Sequence, residues 1–257
     1  MSPVACARKS VAFGYGERMM DNFDALLARF QPEGVRPEGL GWQQRKSAQT
    51  RIGILEAAID CLAIHGYART TTQLIAETAD ISRGAMLHHY PTKGALIEAI
   101  IAFCFYKRME MLRDGLRNIS EMQRVQEFAG LEILWRSFFT REHRAYLELN
   151  IAARTDPEVR ESFIPQARRF SRLWREEGVR VFPEWAGDAE RLARASDLVE
   201  AVLEGLALNH DAWDAPGRVS RLRAFLRDMV GGIYSGAITF PNVAEEDSIE
   251  VGMGTPA

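Results

Sequence analysis

Apolar positions recur at helical spacing along almost the whole chain. Ile52, Leu55, Ile59 and Leu62 fall three or four residues apart, flanked by Ala58, Cys61 and Ile64. This predicts a long helix over 47–65, closed by Gly66. Residues 70–93, TTTQLIAETADISRGAMLHHYPTK, then read as a short helix, a tight turn and a second short helix. Thr70 with Gln73 three residues on has the form of a capping box. Ala79-Asp80-Ile81 makes the turn, with Ile81 as a buried plug. Ser82 is a strong N-cap for a helix from Arg83 to about Tyr90. Met86 and Tyr90 give that helix one apolar face, and Arg83, Ala85, Leu87, His88 and His89 are left on the others. Pro91 ends it. Helices this short need a longer one beneath them, which residues 47–65 supply.

A fourth helix is expected from near Thr92 to about Asn118. Leu96, Ile97, Ile100, Ile101, Phe103 and Cys104 are its apolar positions, and its later half is polar and basic. Further helices are expected at 121–140, 142–154, 156–182, 188–213 and 217–236. The breaks between them fall at Asp156-Pro157, Pro183, Gly187-Asp188 and Pro216-Gly217. Strand-type alternation is absent, so the fold class is all-α. Four segments follow: an N-terminal extension over 1–46, a helix-turn-helix domain over 47–101, a second helical domain over 102–240, and a disordered acidic tail over 241–257. Within the extension, Phe23, Leu26, Leu27 and Phe30 share one helix face ahead of a linker rich in Pro and Gly. The expectation there is a largely disordered segment with one short helix, docking of that helix being the alternative.

Composition alters little. At 47% hydrophobic and 26% charged residues the chain reads as a globular protein. No apolar run is long enough to span a membrane, and the N-terminus lacks the continuous apolar core of a secretory signal. The expectation is therefore cytoplasmic. Cys6, Cys61 and Cys104 show no metal-type spacing; Cys61 and Cys104 sit in apolar helical patterns and read as buried free thiols. A formal charge of −3 argues against indiscriminate nucleic-acid binding. It leaves room for a local patch whose affinity rests on geometry and on two copies of the site.

The stretch from Arg51 to Ile101 resembles the DNA-binding domain of the tetracycline-repressor (TetR/AcrR) family of transcriptional regulators. The resemblance rests on Gly66-Tyr67, Thr70-Thr71, Ile75-Ala76-Glu77-Thr78-Ala79-Asp80-Ile81-Ser82, Gly84-Ala85-Met86-Leu87-His88-His89-Tyr90 and Lys93-Gly94-Ala95-Leu96. Two positions depart from the family pattern. Asp80 stands for the usual turn glycine, and Asp tolerates a left-handed backbone better than most residues. Leu87 stands for a tyrosine that commonly touches the DNA backbone.

The resemblance implies that the second short helix enters a major groove and reads bases with its N-terminal residues. Arg83 has the planar fork that fits a guanine, and Gly84 and Ala85 permit close approach. Leu87, His88 and His89 complete that surface. Arg69, Thr70, Thr71 and Lys93 are placed for phosphates. His88 and His89 diverge by about 100° around a helix and cannot readily share an ion, so no metal and no cofactor is expected. Enzyme signatures such as a nucleophile elbow, a zinc-protease helix or a phosphate loop are missing, and no catalytic residue is assigned. The aromatic surplus at Trp135, Phe138, Phe139, Tyr146, Phe163, Phe170 and Trp174 reads first as core. By resemblance it implies a pocket for a small, mostly apolar effector, lined by Trp135, Phe138, Phe139, Tyr146, Asn150, Phe170 and Trp174. Arg136, Asn150, Arg154 and Asn209 are its candidate polar anchors.

Two long apolar stripes end the chain, and the family uses this helix pair for a dimeric four-helix bundle. Val202, Leu206, Phe225 and Met229 are the expected centre of a homodimer interface. The resulting reading is a homodimeric repressor that binds a palindromic double-stranded operator and is released by a small hydrophobic effector. The different-class alternative is a helical sensor of a hydrophobic metabolite or protein partner that binds no DNA.

Overall fold

The computed structural model describes residues 18–36, 39, 41–117, 119–120, 122–123, 128–185, 187–213 and 217–240. Residues 1–17 and the acidic tail beyond 240 lie outside the described residues, as does Cys6. Every regular element among the described residues is helical, in agreement with the all-α reading. None of these helices is long and apolar enough to cross a membrane.

The head is built on α2 (Trp42–His65), following a first helix, α1, over residues 18–30. Helix α2 begins earlier than the expected 47, because nothing in its first turns opposes helix: Gly41 precedes it in extended backbone and offers no side-chain cap. Ile54, Leu55, Ala58, Ile59 and Leu62 form its buried face. Gly66 ends it with φ near 73°, its N–H bonded to Leu62 O. A Cβ at Gly66 would also stand 3.0 Å from Glu148 Oε2, so both backbone and space call for glycine.

Helices α3 (Thr72–Thr78) and α4 (Arg83–His89) lie across α2. Their connection is a Schellman motif: Asp80 N–H bonds to Glu77 O, and Ile81 N–H to Ala76 O. Asp80 takes the left-handed conformation the motif requires, with φ 54°. Ile81 is half-buried rather than fully plugged in. The N-cap of α3 is Thr71, whose hydroxyl accepts from Leu74 N–H, and Thr70 is not a cap. Thr70 instead donates its hydroxyl to Gly66 O at 2.8 Å, while Gln73 bonds to Glu77, so the predicted capping box does not form.

Helix α5 (Lys93–Arg117) starts on a Thr92 cap that accepts from Ala95 N–H. It is 25 residues long, about 37 Å at 1.5 Å per residue. Leu96, Ile97, Ile100 and Ile101 close the head, whereas Phe103, Cys104, Leu112 and Leu116 enter the second domain. That domain contains α6 (Ala129–Ser137), α7 (Arg141–Ala152), α8 (Pro157–Val181), α9 (Ala189–Leu208) and α10 (Arg218–Ser235). Asp156 caps α8 ahead of Pro157, where a missing N–H costs nothing. The expected helix 121–140 is interrupted: residues 122–123 are helical, and 121 and 124–127 lie outside the described residues. Phe128 sits in left-handed backbone, and α6 starts only after it.

The N-terminal extension departs most from expectation. Between residues 18 and 36 it is ordered and belongs to the main core. Phe23, Leu26, Leu27, Phe30 and Val35 are each at most 3% exposed. Burial of a side chain this size is worth about 1.5–3 kcal/mol, enough to order a helix that would be marginal alone. Phe30 stacks on Phe170 of α8 at 5.1 Å. Polar contacts fix the same placement: Asn22 Nδ2 donates to Arg180 O at 2.9 Å, Arg113 Nη1 reaches Asp24 at 2.9 Å, and Arg29 pairs with Glu177.

Head and second domain meet through polar contacts as well as through α5. Tyr67 N–H donates to Glu148 Oε2 at 3.0 Å, and its hydroxyl donates to Asp156 Oδ2 at 2.8 Å. Arg141 binds Asp60 at 2.7 Å and also pairs with Glu56.

Candidate nucleic-acid interface and effector cavity

Helix α4 presents an exposed face held from behind. Met86 and Tyr90 anchor it at 0% and 5% exposure, and Ser82 Oγ accepts from Ala85 N–H to square off its N-terminus. Arg83, Gly84, Ala85, Leu87 and His88 are exposed, and His89 is half-buried. Arg51 Nη1 donates to His89 O at 3.4 Å, tying the end of α4 to α2. The His89 imidazole is pushed toward its neutral form by burial, and then by Arg51 and His88.

The four expected phosphate contacts differ in what they can still offer. Thr71 accepts from Leu74 N–H and keeps its own hydroxyl proton to donate. Thr70 has already donated that proton to Gly66 O, so its side chain has nothing to give an acceptor-only phosphate. Arg69 uses Nε on His65 O at 2.9 Å, leaving its terminal nitrogens. Lys93 is engaged: Nζ lies 3.1 Å from Glu158 Oε2 and 5.2 Å from the Tyr67 ring centroid. Tyr67 and Glu158 keep that ammonium charged at higher pH than usual. Its location is the junction between head and second domain.

The second domain and α1 together line a cavity of about 470 Å³ that is open to solvent on one side. Its walls come from α1 (Phe30), α5 (Phe105, Arg108, Met109, Leu112), α7 (Tyr146), α8 (Phe170, Ser171, Trp174) and α9 (Val199, Glu200, Glu204). Phe105 joins two of these walls, lying 4.3 Å from Phe170 and 5.1 Å from Tyr146. Of the residues expected to line a pocket, Tyr146, Phe170 and Trp174 face this cavity. Trp135, Phe138, Phe139 and Asn150 do not. Trp135 and Phe138 are packed into a separate cluster with Val199, Leu203, Leu206, Leu226 and Val230, and Phe139 is 40% exposed against Trp135 and His210. The expected polar anchors are elsewhere too. Arg136 pairs with Glu132 at the surface, Asn209 returns to Gly205 O, and neither Arg154 nor Asn150 reaches the lining.

The polar end of the cavity consists of groups that sequence reasoning missed. Arg108 is almost fully buried and reaches Glu200 Oε1 at 3.3 Å. His143 Nε2 lies 3.6 Å from Glu204 Oε1. Burial, reinforced by Arg108, pushes the His143 pKa down to about 3, so the imidazole is neutral. Burial, then the neighbouring Glu200, raises the Glu204 pKa. One signal in the sequence could have pointed here: Glu200 and Glu204 lie one turn apart and are the charged residues in the otherwise apolar second half of α9, residues 198–208.

The expected dimer positions divide. Phe225 is 63% exposed, with Leu222 on the same face of α10 at 38%, and Leu208 at the end of α9 is 61% exposed. Val202 and Met229 are half-buried. Leu206 is 4% exposed inside the core, because α9 turns it toward Leu203 and α10 rather than outward. It is not a surface residue.

Residues 54–100 match the model of the family described as bacterial regulatory proteins, tetR family. An uncharacterized HTH-type transcriptional regulator of Mycobacterium tuberculosis is 29% identical over 120 residues, covering 47% of this chain and 61% of that protein. The HTH-type transcriptional repressor AcnR of Corynebacterium efficiens is 32% identical over 120 residues, covering 45% of this chain and 56% of that protein. The chain thus aligns with about three fifths of the length of these relatives. Among solved structures, a transcriptional regulator from Rhodococcus sp. Rha1 shares the fold, with a TM-score of 0.53 at 21% identity, covering 74% of this chain and 99% of that one.

Proposed function

We propose that the chain, whose residues 54–100 match the tetR family of bacterial regulatory proteins, is a member of that family and a cytoplasmic, homodimeric transcriptional repressor. Its head binds a palindromic operator, and a small effector in the second-domain cavity lowers that affinity. The observation that carries this reading is α4 itself. It exposes Arg83, Gly84, Ala85 and His88 on one side while Met86 and Tyr90 fasten the other. A surface solely for protein packing would not leave that whole N-terminal face bare.

Two elements couple the proposed sites. Helix α5 contributes Leu96–Ile101 to the head core and Phe105–Leu112 to the cavity wall. The junction residues Tyr67 and Lys93 hold the start of α8, whose later turns carry Phe170 and Trp174. A ligand that prefers one arrangement of these helices shifts the spacing of the two heads, and heads out of register with half-sites lose affinity. One short helix reads too few bases for useful specificity, which is the argument for two copies. Leu208, Leu222 and Phe225 supply the apolar surface for that pairing.

Selecting the DNA bound by the purified protein from random fragments tests this directly. Arg83→Ala should relax base preference at one symmetric pair of positions, at a cost of about 1–3 kcal/mol per site, with unchanged thermal stability. No enrichment of any sequence would refute the DNA-binding reading.

A further inference from the structure

The charges around the cavity do not balance. On α9 three carboxylates, Asp197, Glu200 and Glu204, share the lining with the Arg108 guanidinium of α5. Asp197 is taken by Arg175 outside the lining, at 2.6 Å. Glu200 is matched by Arg108 at 3.3 Å. Glu204 has no cation of its own. Its neighbour His143 is neutral, and at 3.6 Å it is too far for a good hydrogen bond. Two carboxylates one turn apart on α9 therefore face a single buried arginine, and one negative charge is left over.

Exposure decides which sign of ligand can use this arrangement. The Arg108 side chain is 4% exposed, whereas those of Glu200 and Glu204 are 55% and 30% exposed. An anion entering the cavity would meet both carboxylates before reaching the arginine, and would have to displace Glu200 from it. A cation meets the carboxylates first and leaves the Arg108–Glu200 pair intact. Aromatic faces that favour cations stand alongside: Tyr146 and Phe105 line the same cavity, with Phe170 stacked behind.

We propose that this cavity binds lipophilic cations: molecules with an aromatic or aliphatic body and one ammonium-type group, with Glu204 as the charge partner and Phe105, Tyr146, Phe170 and Trp174 around the body. The proposal rests on the cavity being the effector site. It specifies what the mostly apolar effector must carry.

Trp174 and Trp185 both line the cavity, so the tryptophan fluorescence of the full chain reports occupancy. Three probes of equal body isolate the charge: 4-phenylbutylamine, 4-phenyl-1-butanol and 4-phenylbutyrate, titrated at pH 7.5. The amine should bind at least tenfold tighter than the alcohol, with the carboxylate weakest. Glu204→Gln should erase the advantage of the amine while leaving the alcohol unchanged, and Glu204→Asp should restore most of it. Equal binding of amine and alcohol, tighter binding of the carboxylate, or an undiminished amine preference in Glu204→Gln would overturn the cation assignment and leave the effector cavity standing. Absence of binding by all three would overturn both.

Discussion

The head and the cavity are built by opposite strategies. The candidate DNA-contacting residues of the head lie between Arg69 and Lys93, and most of them are exposed. The head's helix ends and turn are set by bonds between near neighbours in sequence: Ser82 to Ala85, Thr71 to Leu74, Asp80 to Glu77. The cavity draws on residues from Phe30 to Val230, and its polar groups are held by contacts across as many as 92 positions, as between Arg108 and Glu200. Local hydrogen-bond chemistry leaves a signature in sequence. Long-range packing leaves only amphipathic stripes that do not name their partners.

That contrast predicts where substitutions act, and the largest effect should come from the element least expected to matter. Phe23 on α1 is 0% exposed. Phe23→Ala should cost about 3–5 kcal/mol in urea or thermal unfolding, the range for large buried aromatics. A change below about 1 kcal/mol would mean that α1 is not part of the body. The same variant should also disturb the cavity, since the cavity-lining Phe30 is about two turns further along the same helix.

A smaller but cleaner separation concerns the dimer. Phe225→Glu alters a residue that the monomer leaves 63% exposed, so helicity and unfolding midpoint per chain should hold while association weakens by about 2 kcal/mol or more. Light scattering beside circular dichroism checks both. Leu206→Glu should instead unfold the chain, because that side chain belongs to the core. If the two variants behave alike, the division between core and interface on α9 and α10 is wrong.

The gentlest probe is acid. The His143 pKa falls from 6.5 when unfolded to about 3 when folded. The unfolded chain thus binds the extra proton first as pH drops, and stability falls progressively between those values while being fully present above about 6.5. His143→Phe should flatten that slope relative to wild type in chemical unfolding across pH 7 to 5. Head substitutions such as Arg83→Ala should leave it unaltered.

The same contrast explains which readings survived contact with the structure. The turn at Asp80, the Ser82 cap, the Asp156-Pro157 start of α8 and the Gly66 stop were legible because each is a residue-level rule with a local partner. Thr70 and Thr71 were exchanged because adjacent threonines satisfy the same rule, and only the Tyr67–Arg69 turn decides which one faces α3. The stripe on α1 was visible, yet nothing in its spacing says that α5 and α8 will cover it. Leu206 and Phe225 are both apolar at helical spacing, and their separation into core and surface depends on how α9 rotates against α6 and α10. Arg108 could not be singled out among the basic residues of α5, because its burial is a property of the assembled domain.

The central claim is that cavity and head share one conformational equilibrium through α5 and the junction at Tyr67 and Lys93. The decisive measurement is operator affinity with the cavity empty and with it saturated, for example by 4-phenylbutylamine, paired with ligand affinity for the free and the DNA-bound protein. The account predicts that occupancy weakens operator binding, and that DNA weakens ligand binding by the same factor, about 5- to 150-fold for typical coupling. Identical operator affinity at full and zero occupancy would contradict it.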